Sequence, residues 1–185
     1  TKRNQVLEAV DKTLKNFKRI DILCNIAGAN KDALCKNMRE EDFDQIVEIN
    51  LKGPWLCCQA VIPAMIEQKY GRIINTSSIG ALGNIGQTNY ASAKAGVIAL
   101  GRCLAAELAR YNITVNTVAP GATDTPMLRK VPQEFLEKFK ATIPFKRFAT
   151  SDEIANVYVF FASDEAAYIT GQVIYVAGGM DLVFK

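Results

Sequence analysis

The chain reads as an α/β protein, a doubly wound parallel sheet with helices on both faces, in one domain spanning residues 1–185. Segments with helical and strand-like periodicity alternate along it. The strand-like runs are apolar on both faces, as strands are when helices cover them above and below. At 185 residues, 49% hydrophobic and 22% charged, the chain has the length and balance of one ordinary folded unit. No repeat or linker interrupts it.

The first element is an amphipathic helix with Val6, Leu7, Val10, Leu14 and Phe17 on one face. The run IDILCNIAG, Ile20 to Gly28, reads as a fully buried strand closed by glycine. A loop from Asn30 to Asn37 leads to a helical region from about Glu40 to Lys69, in which Pro54 and Pro63 bend or bound turns. GRIINTSS, Gly71 to Ser78, is the second strand, and the glycine-rich IGALGNIGQ follows as loop. Thr88 to Arg110 forms a long helix whose Ala and Gly content permits close packing. ITVNTVAP is the third strand, GATDTPMLRKVP a loop, and Gln133 to Ala141 a short helix. Thr150 to Glu153, TSDE, has capping-box spacing and starts a helix to about Ala162. GQVIYVAGG is the last strand. The first strand is as apolar as a central one, yet nothing precedes it but a helix, so further sheet is expected on its N-terminal side.

Composition excludes several function classes. There is no histidine, so neither a serine–histidine couple nor an imidazole metal site can form. Lys plus Arg number 22 against 19 Asp plus Glu, without blocks of either sign, which argues against a nucleic-acid or membrane-surface role. The longest uncharged run, Ile73 to Ala93, is too polar to span a bilayer, and no signal peptide is visible. The five cysteines (Cys24, Cys35, Cys57, Cys58, Cys103) are odd in number and lack a C-x-x-C. They are expected to be reduced thiols in a cytoplasmic setting, mostly buried as small hydrophobes.

Acid–base chemistry must then come from other groups. Tyr90 and Lys94 lie four apart on one helix face. A lysine ammonium nearby lowers a phenol's pKa, whereas a buried wall raises it, so the pair works as a tuned couple where the charge prevails. A bare Y-x-x-x-K is otherwise an ordinary exposed pair. Context strengthens it: NIAG (Asn25 to Gly28), NTSS and PGATDT (Pro120 to Thr125) end three consecutive strands in small polar residues. Open parallel sheets bind ligands at that carboxyl edge.

Taken in order, NIAG, EINLKG, INTSS, YASAK, VNTVAPGATDT and YITGQVIYVAGGM resemble the short-chain dehydrogenase/reductase family nearly end to end. The resemblance implies a Rossmann-like sheet, here lacking its N-terminal strands, and an NAD(P)(H)-dependent oxidoreductase acting on a carbonyl or secondary alcohol. By that resemblance Tyr90 is the acid or base, and Lys94 holds the nicotinamide ribose and lowers the tyrosine pKa. Asn50 holds a water in a proton relay. Asn25, Ala27 and Gly28 line the ribose, Pro120, Gly121 and the Thr123 backbone meet the carboxamide region, and Thr125 bonds the cofactor. The substrate-orienting serine is Ser78 counted from the strand and Ser77 counted back from the tyrosine. A loop deletion is cheaper than a register shift in a buried strand, which favours Ser78. Ile26 and Ala177 depart from the family pattern without removing a catalytic atom. The family's T-G-x-x-x-G-x-G turn, which cradles the pyrophosphate, is not in this sequence, nor is the residue that separates NAD from NADP.

The GNIGQTNYASAKAG run is closest to the 3-oxoacyl-carrier-protein reductase branch, which implies a 3-oxoacyl thioester substrate, possibly carrier-bound, NADP ahead of NAD, and a homo-tetramer. Arg129, Lys130, Lys138 and Lys140 in the variable region from Met127 to Phe145 either greet an acidic carrier or form a solvated face. Packing between subunits would use Trp55, Cys58 and Val61 with Ala91, Ala95, Gly96, Ala99 and Ala105. The competing readings are a truncated cofactor-free paralogue serving as a structural subunit and a free-standing binding module. The intact Asn50, Ser78, Tyr90 and Lys94 speak against the first, and the naked apolar edge against the second.

Overall fold

Every strand of the sheet runs the same way. The computed structural model describes residues 1–125, 128 and 132–183. In it β1 (Ile22–Asn25), β2 (Gly71–Thr76), β3 (Ile113–Pro120) and β4 (Val173–Val176) pair in chain order, all parallel. Parallel pairing brings Asn25 level with Asn75, Thr76 level with Val118, and Pro120 level with Val176, so the strand ends share one edge. The connections are helical: α2 (Glu40–Val47) and α3 (Gly53–Gln68) join β1 to β2, and α4 (Thr88–Leu108) joins β2 to β3. Then α5 (Gln133–Thr142) and α6 (Ser151–Ala162) lead to β4, α1 (Arg3–Phe17) precedes the sheet, and α7 (Met180–Val183) follows it.

Alternation along β2 shows why its central pair, Ile73 and Ile74, is apolar on both faces. Ile73 enters a core with Val61 and Met65 of α3 and Leu104 and Leu108 of α4. Its neighbour Ile74 points the other way, into Tyr158 and Phe161 of α6. Both faces are therefore covered, and β2 and β3 are buried almost to their last residues. Gly101 lets α4 close onto β3, since a Cβ there would lie 2.9 Å from the Thr117 hydroxyl. The TSDE segment forms its capping box, with Thr150 accepting from the Glu153 amide at 3.2 Å and Glu153 from the Thr150 amide at 2.8 Å. Arg147 also holds the Glu153 carboxyl, which lies down at about 2.

Several expectations need correction. The first strand is short and half-open rather than buried: Leu23 packs inward, but Ile22 is 47% exposed and Cys24 faces outward. As an edge strand it has one pairing partner, and α1 and α3 cover only one of its faces. Val10 and Leu14 of α1 pack on the core, whereas Leu7 and Phe17 stay exposed. All five cysteines are free, but three of them (Cys24, Cys35, Cys103) are exposed, and only Cys58 is core, its thiol pushed up to about 12 by burial. Of the residues assigned to subunit packing, Cys58, Val61 and Ala105 belong to this chain's own core, leaving Trp55, Ala95 and Ala99 on the surface. The terminal helix α7 was not anticipated; Gly178 and Gly179 at positive φ turn the chain into it.

Among the described residues no helix is long and apolar enough to cross a membrane. Phe161 is fully buried while Val159, on the same helix, is 67% exposed. Phe161→Ala is expected to cost about 3–5 kcal/mol in urea unfolding, and Val159→Ala to stay within about 0.5 kcal/mol of the parent.

Candidate active site

The carboxyl edge of β2 gathers the candidate residues. After Thr76 the chain remains extended, so Ser77 and Ser78 point to opposite sides. Ser77 is 2% exposed, and its hydroxyl donates to the Lys94 carbonyl at 2.8 Å, tying the strand end to α4. Ser78 instead caps the turn after it, accepting from the Gly80 amide at 3.0 Å, and stands beside the Tyr90 ring: a Cβ on Gly80 would lie 3.4 Å from Ser78 Oγ and 3.2 Å from Tyr90 Cε1. Of the two serines, then, Ser78 meets the tyrosine and Ser77 is held in the framework.

Tyr90 and Lys94 share the N-terminal turns of α4, with the Lys94 ammonium 5.7 Å from the tyrosine ring centre. Lys94 is 3% exposed and donates to the Thr76 carbonyl at 2.8 Å. Burial, with no carboxylate partner among the described residues, pushes its pKa down to about 8. Burial also raises the Tyr90 phenol, partly opposed by the Ser78 hydrogen bond and reinforced by the nearby Asp32 charge. The expected lowering of Tyr90 does not hold in the protein alone: loss of hydration leads, and the phenol lies above its ordinary value.

Asn50 reaches the same place by a local irregularity. Pro54 has no N–H to donate to the carbonyl four residues back, and its ring crowds that carbonyl. The helix widens into a π turn over Glu48–Lys52, a form often found at functional positions. There Asn50 is fully buried and its Nδ2 donates to the carbonyls of Ile46 at 2.9 Å and Ala29 at 2.7 Å, while its Oδ1 accepts from the Ala29 amide at 3.3 Å. These bonds hold the NIAG turn. Gly28 is required there: a Cβ would lie 2.8 Å from Asn50 Oδ1 and 3.4 Å from Lys94 Nζ. Asn25, one turn earlier, donates to Asn75 Oδ1 at 2.9 Å and so serves the strand pairing. Ala27 lies between it and this crowded glycine.

The residues after β3 occupy the same edge, one strand further. Gly121 donates to the Val176 carbonyl at 3.0 Å, and a Cβ on it would meet Ala177 Cα at 2.8 Å. Pro120 is the last residue of β3. A single parallel bridge ties Thr123 to Ala149 through the carbonyl of Ala122 and the amide of Asp124. That pattern directs the main-chain groups of Thr123 itself away from Ala149. The Thr125 hydroxyl accepts from the Leu128 amide at 3.3 Å, leaving its proton available for a further acceptor. Met127, Arg129 and Lys130 lie outside the described residues, while Lys138 and Lys140 pair with Glu134 and Glu137 on α5.

Sequence reasoning missed the groups that brace this edge. Asn89 is fully buried, accepts from the Tyr90 amide at 2.7 Å and donates to the Lys31 carbonyl at 3.0 Å. Gln87 donates to Asp32 at 3.0 Å, and the Ala33 amide to Gly86 at 2.8 Å, so the loop after β1 is strapped to the turn before Tyr90. Thr76 and Tyr158 form a second brace.

The protein matches known sequences and structures over nearly its whole length. Residues 1–181 match the family model described as Enoyl-(Acyl carrier protein) reductase. The chain is 49% identical over 181 residues to the 3-oxoacyl-(acyl-carrier-protein) reductase FabG of Thermotoga maritima, covering 97% of this chain and 74% of that one. It is 45% identical over 173 residues to the (2S)-((R)-hydroxy(phenyl)methyl)succinyl-CoA dehydrogenase subunit BbsD of Thauera aromatica, covering 94% of this chain and 70% of the other. The crystal structure of levodione reductase superposes with a TM-score of 0.95 at 36% identity, over 99% of this chain and 75% of that one.

The depressed lysine makes a stability prediction. Between a folded pKa of about 8 and the ordinary 10.5, the unfolded chain binds more protons than the folded one. Stability therefore rises with pH across that window, by as much as about 3 kcal/mol from this group. The raised Tyr90 acts oppositely, but only above its ordinary value of 10. Lys94→Met is expected to abolish the rise, read as the difference between parent and variant urea midpoints across the window.

Proposed function

The chain belongs to the short-chain dehydrogenase/reductase family, and on that premise we propose that Tyr90, Ser78, Lys94 and Asn50 are its catalytic set and a 3-oxoacyl thioester its substrate. As a member it is an oxidoreductase that interconverts a carbonyl and a secondary alcohol with a nicotinamide cofactor. The observation that carries the site assignment is two hydroxyl side chains, Ser78 and Tyr90, standing together around Gly80 beside one buried cation. Two such donors suit a single oxygen that gains negative charge when its carbon accepts a hydride.

The residues fit the nicotinamide half of the cofactor. Gly28 packs tightly against Asn50 and Lys94, which puts the main chain of the NIAG turn beside the lysine ammonium that would meet the ribose. Lys94 has three donor hydrogens, one of them on Thr76, so two remain for ribose hydroxyls. Asn25, Ala27 and Gly28 would flank the ribose, and Pro120, Gly121, the Thr123 main chain and the Thr125 hydroxyl the carboxamide. Bound there, the nicotinamide supplies or accepts the hydride. Tyr90 delivers its phenolic proton to the carbonyl oxygen in reduction and takes it back in oxidation. Ser78 donates to that oxygen in both directions. The raised phenol pKa keeps Tyr90 protonated, the state reduction needs. Asn50 supports the lysine side of the site, where a water would relay its proton. NADP(H) is preferred to NAD(H) as the working cofactor.

The relatives' names support a thioester substrate: one is a 3-oxoacyl-(acyl-carrier-protein) reductase and another a succinyl-CoA dehydrogenase subunit. With Lys138 and Lys140 paired on α5, carrier recognition would rest on other groups. We read the described elements as one domain of a cytoplasmic homo-tetramer. The free exposed thiols suit a reducing compartment, and exposed Trp55, Ala95 and Ala99 suit subunit packing.

The test is oxidation of NADPH and NADH by a 3-oxoacyl thioester, with a 2-enoyl thioester as the competing substrate. Consumption with the 3-oxo compound supports the reading, and activity confined to the enoyl compound overturns the substrate. Tyr90→Phe is expected to lower kcat by about a hundred- to ten-thousand-fold. Ser78→Ala is expected to lower it about a hundredfold or more. Ser77→Ala should keep kcat while losing about 0.5–1.5 kcal/mol of stability, the worth of one buried hydrogen bond. A folded Ser77→Ala protein as inactive as Ser78→Ala would reverse the serine assignment.

A further inference from the structure

One tyrosine crosses the fold to meet this site from the opposite side. Tyr158 lies on α6, which covers the face of the sheet away from α4, and it is 9% exposed. Its hydroxyl lies 2.7 Å from the Thr76 hydroxyl, which itself donates to the main-chain carbonyl of Asn25. A threonine hydroxyl has a single proton, and here Asn25 receives it. Tyr158 must therefore be the donor to Thr76, and the sequence of bonds runs from Tyr158 to Thr76 to Asn25. Aligned in this order, each bond polarises and strengthens the next. Burial and the neighbouring Cys24 raise the Tyr158 phenol, so it remains a donor throughout the neutral range.

We propose that Tyr158 is a positioning residue for the cofactor half-site, acting by clamping the end of β1 to the end of β2 through Thr76. Thr76 stands where this matters most. Its side chain grips Asn25, which opens the NIAG turn, while its main-chain carbonyl receives the Lys94 ammonium at 2.8 Å. The clamp thus fixes the NIAG turn relative to the Lys94 ammonium, the two groups assigned above to the ribose. An apolar side chain would fill the α6 core as well; the buried hydroxyl is explained by its bond to Thr76. The proposal rests on the cofactor reading of the preceding section.

The test uses Tyr158→Phe, which keeps the ring, with Thr76→Val and Thr76→Ser, in the full chain. Two readouts are taken: the Lys94 titration midpoint, followed by NMR of its side-chain carbon in the free protein, and the dissociation constant of NADPH. The titratable group facing Lys94 is Tyr90, so midpoints are compared below the range in which phenols titrate. Tyr158→Phe and Thr76→Val are expected to raise the Lys94 midpoint by about a unit as water gains access. They should also weaken NADPH about fivefold, the worth of one neutral hydrogen bond. Thr76→Ser, which keeps the hydroxyl, should stay near the parent in both. Parent-like values in Tyr158→Phe and Thr76→Val would overturn the proposal, as would Thr76→Ser failing as badly as Thr76→Val. If the parent binds no nicotinamide nucleotide, the cofactor reading falls, and with it the positioning role toward that cofactor. The titration then reports separately whether the clamp holds Lys94.

Discussion

The Lys94 ammonium, buried beneath α4 and anchored to the carbonyl of Thr76, is the constraint around which the rest of the edge is arranged. A cation taken out of water without a carboxylate partner is unfavourable, and it is kept only where surrounding groups prescribe its place. Those groups come from every part of the fold. Ser77 holds the Lys94 main chain, the π turn brings Asn50 beside Gly28, and Tyr158 reaches Thr76 through the opposite layer. The low pKa of the lysine follows from this confinement.

A parallel sheet makes such convergence possible. Its strands end together, so residues separated by a full helical connection meet at one edge without any long loop to carry them. Asn25 and Asn75 are fifty residues apart in sequence and level in the register. The sheet supplies the common edge, while the bracing is local: Asn89 beneath Tyr90, Gln87 on Asp32, Thr150 and Glu153 at the start of α6. Helix α6 contributes twice, burying Phe161 on the sheet and presenting Tyr158 to its edge.

The balance between burial and charge at Tyr90 and Lys94 has a chemical consequence. Both groups are biased toward their neutral forms in the protein alone, the phenol upward and the ammonium downward. A neutral phenol is a proton donor, which suits the reductive direction. Oxidation needs the phenolate, and so needs additional positive charge or solvent rearrangement near the pair.

The amino-acid sequence by itself determined the order of helices and strands, the parallel sheet and the identity of the edge, because periodicity and strand-end chemistry are local properties. Spacing marked Tyr90 and Lys94 and strand-end position marked the serine pair, while Asn50 came only from the family resemblance. Which serine meets the tyrosine was decided by tertiary structure, since only the pairing with β3 and the contact with α4 show which hydroxyl is already bonded. The sign of the Tyr90 shift was decided there too, because loss of hydration depends on everything packed around a group and not on its neighbour four residues along. The openness of β1 and the exposure of Cys24, Cys35 and Cys103 were likewise beyond local pattern: an apolar strand reads the same wherever it stands in a sheet. Tyr158 illustrates the limit most plainly. In sequence it is one aromatic among the apolar residues of a helix, and its hydroxyl acquires a role only because β2 places Thr76 within its reach.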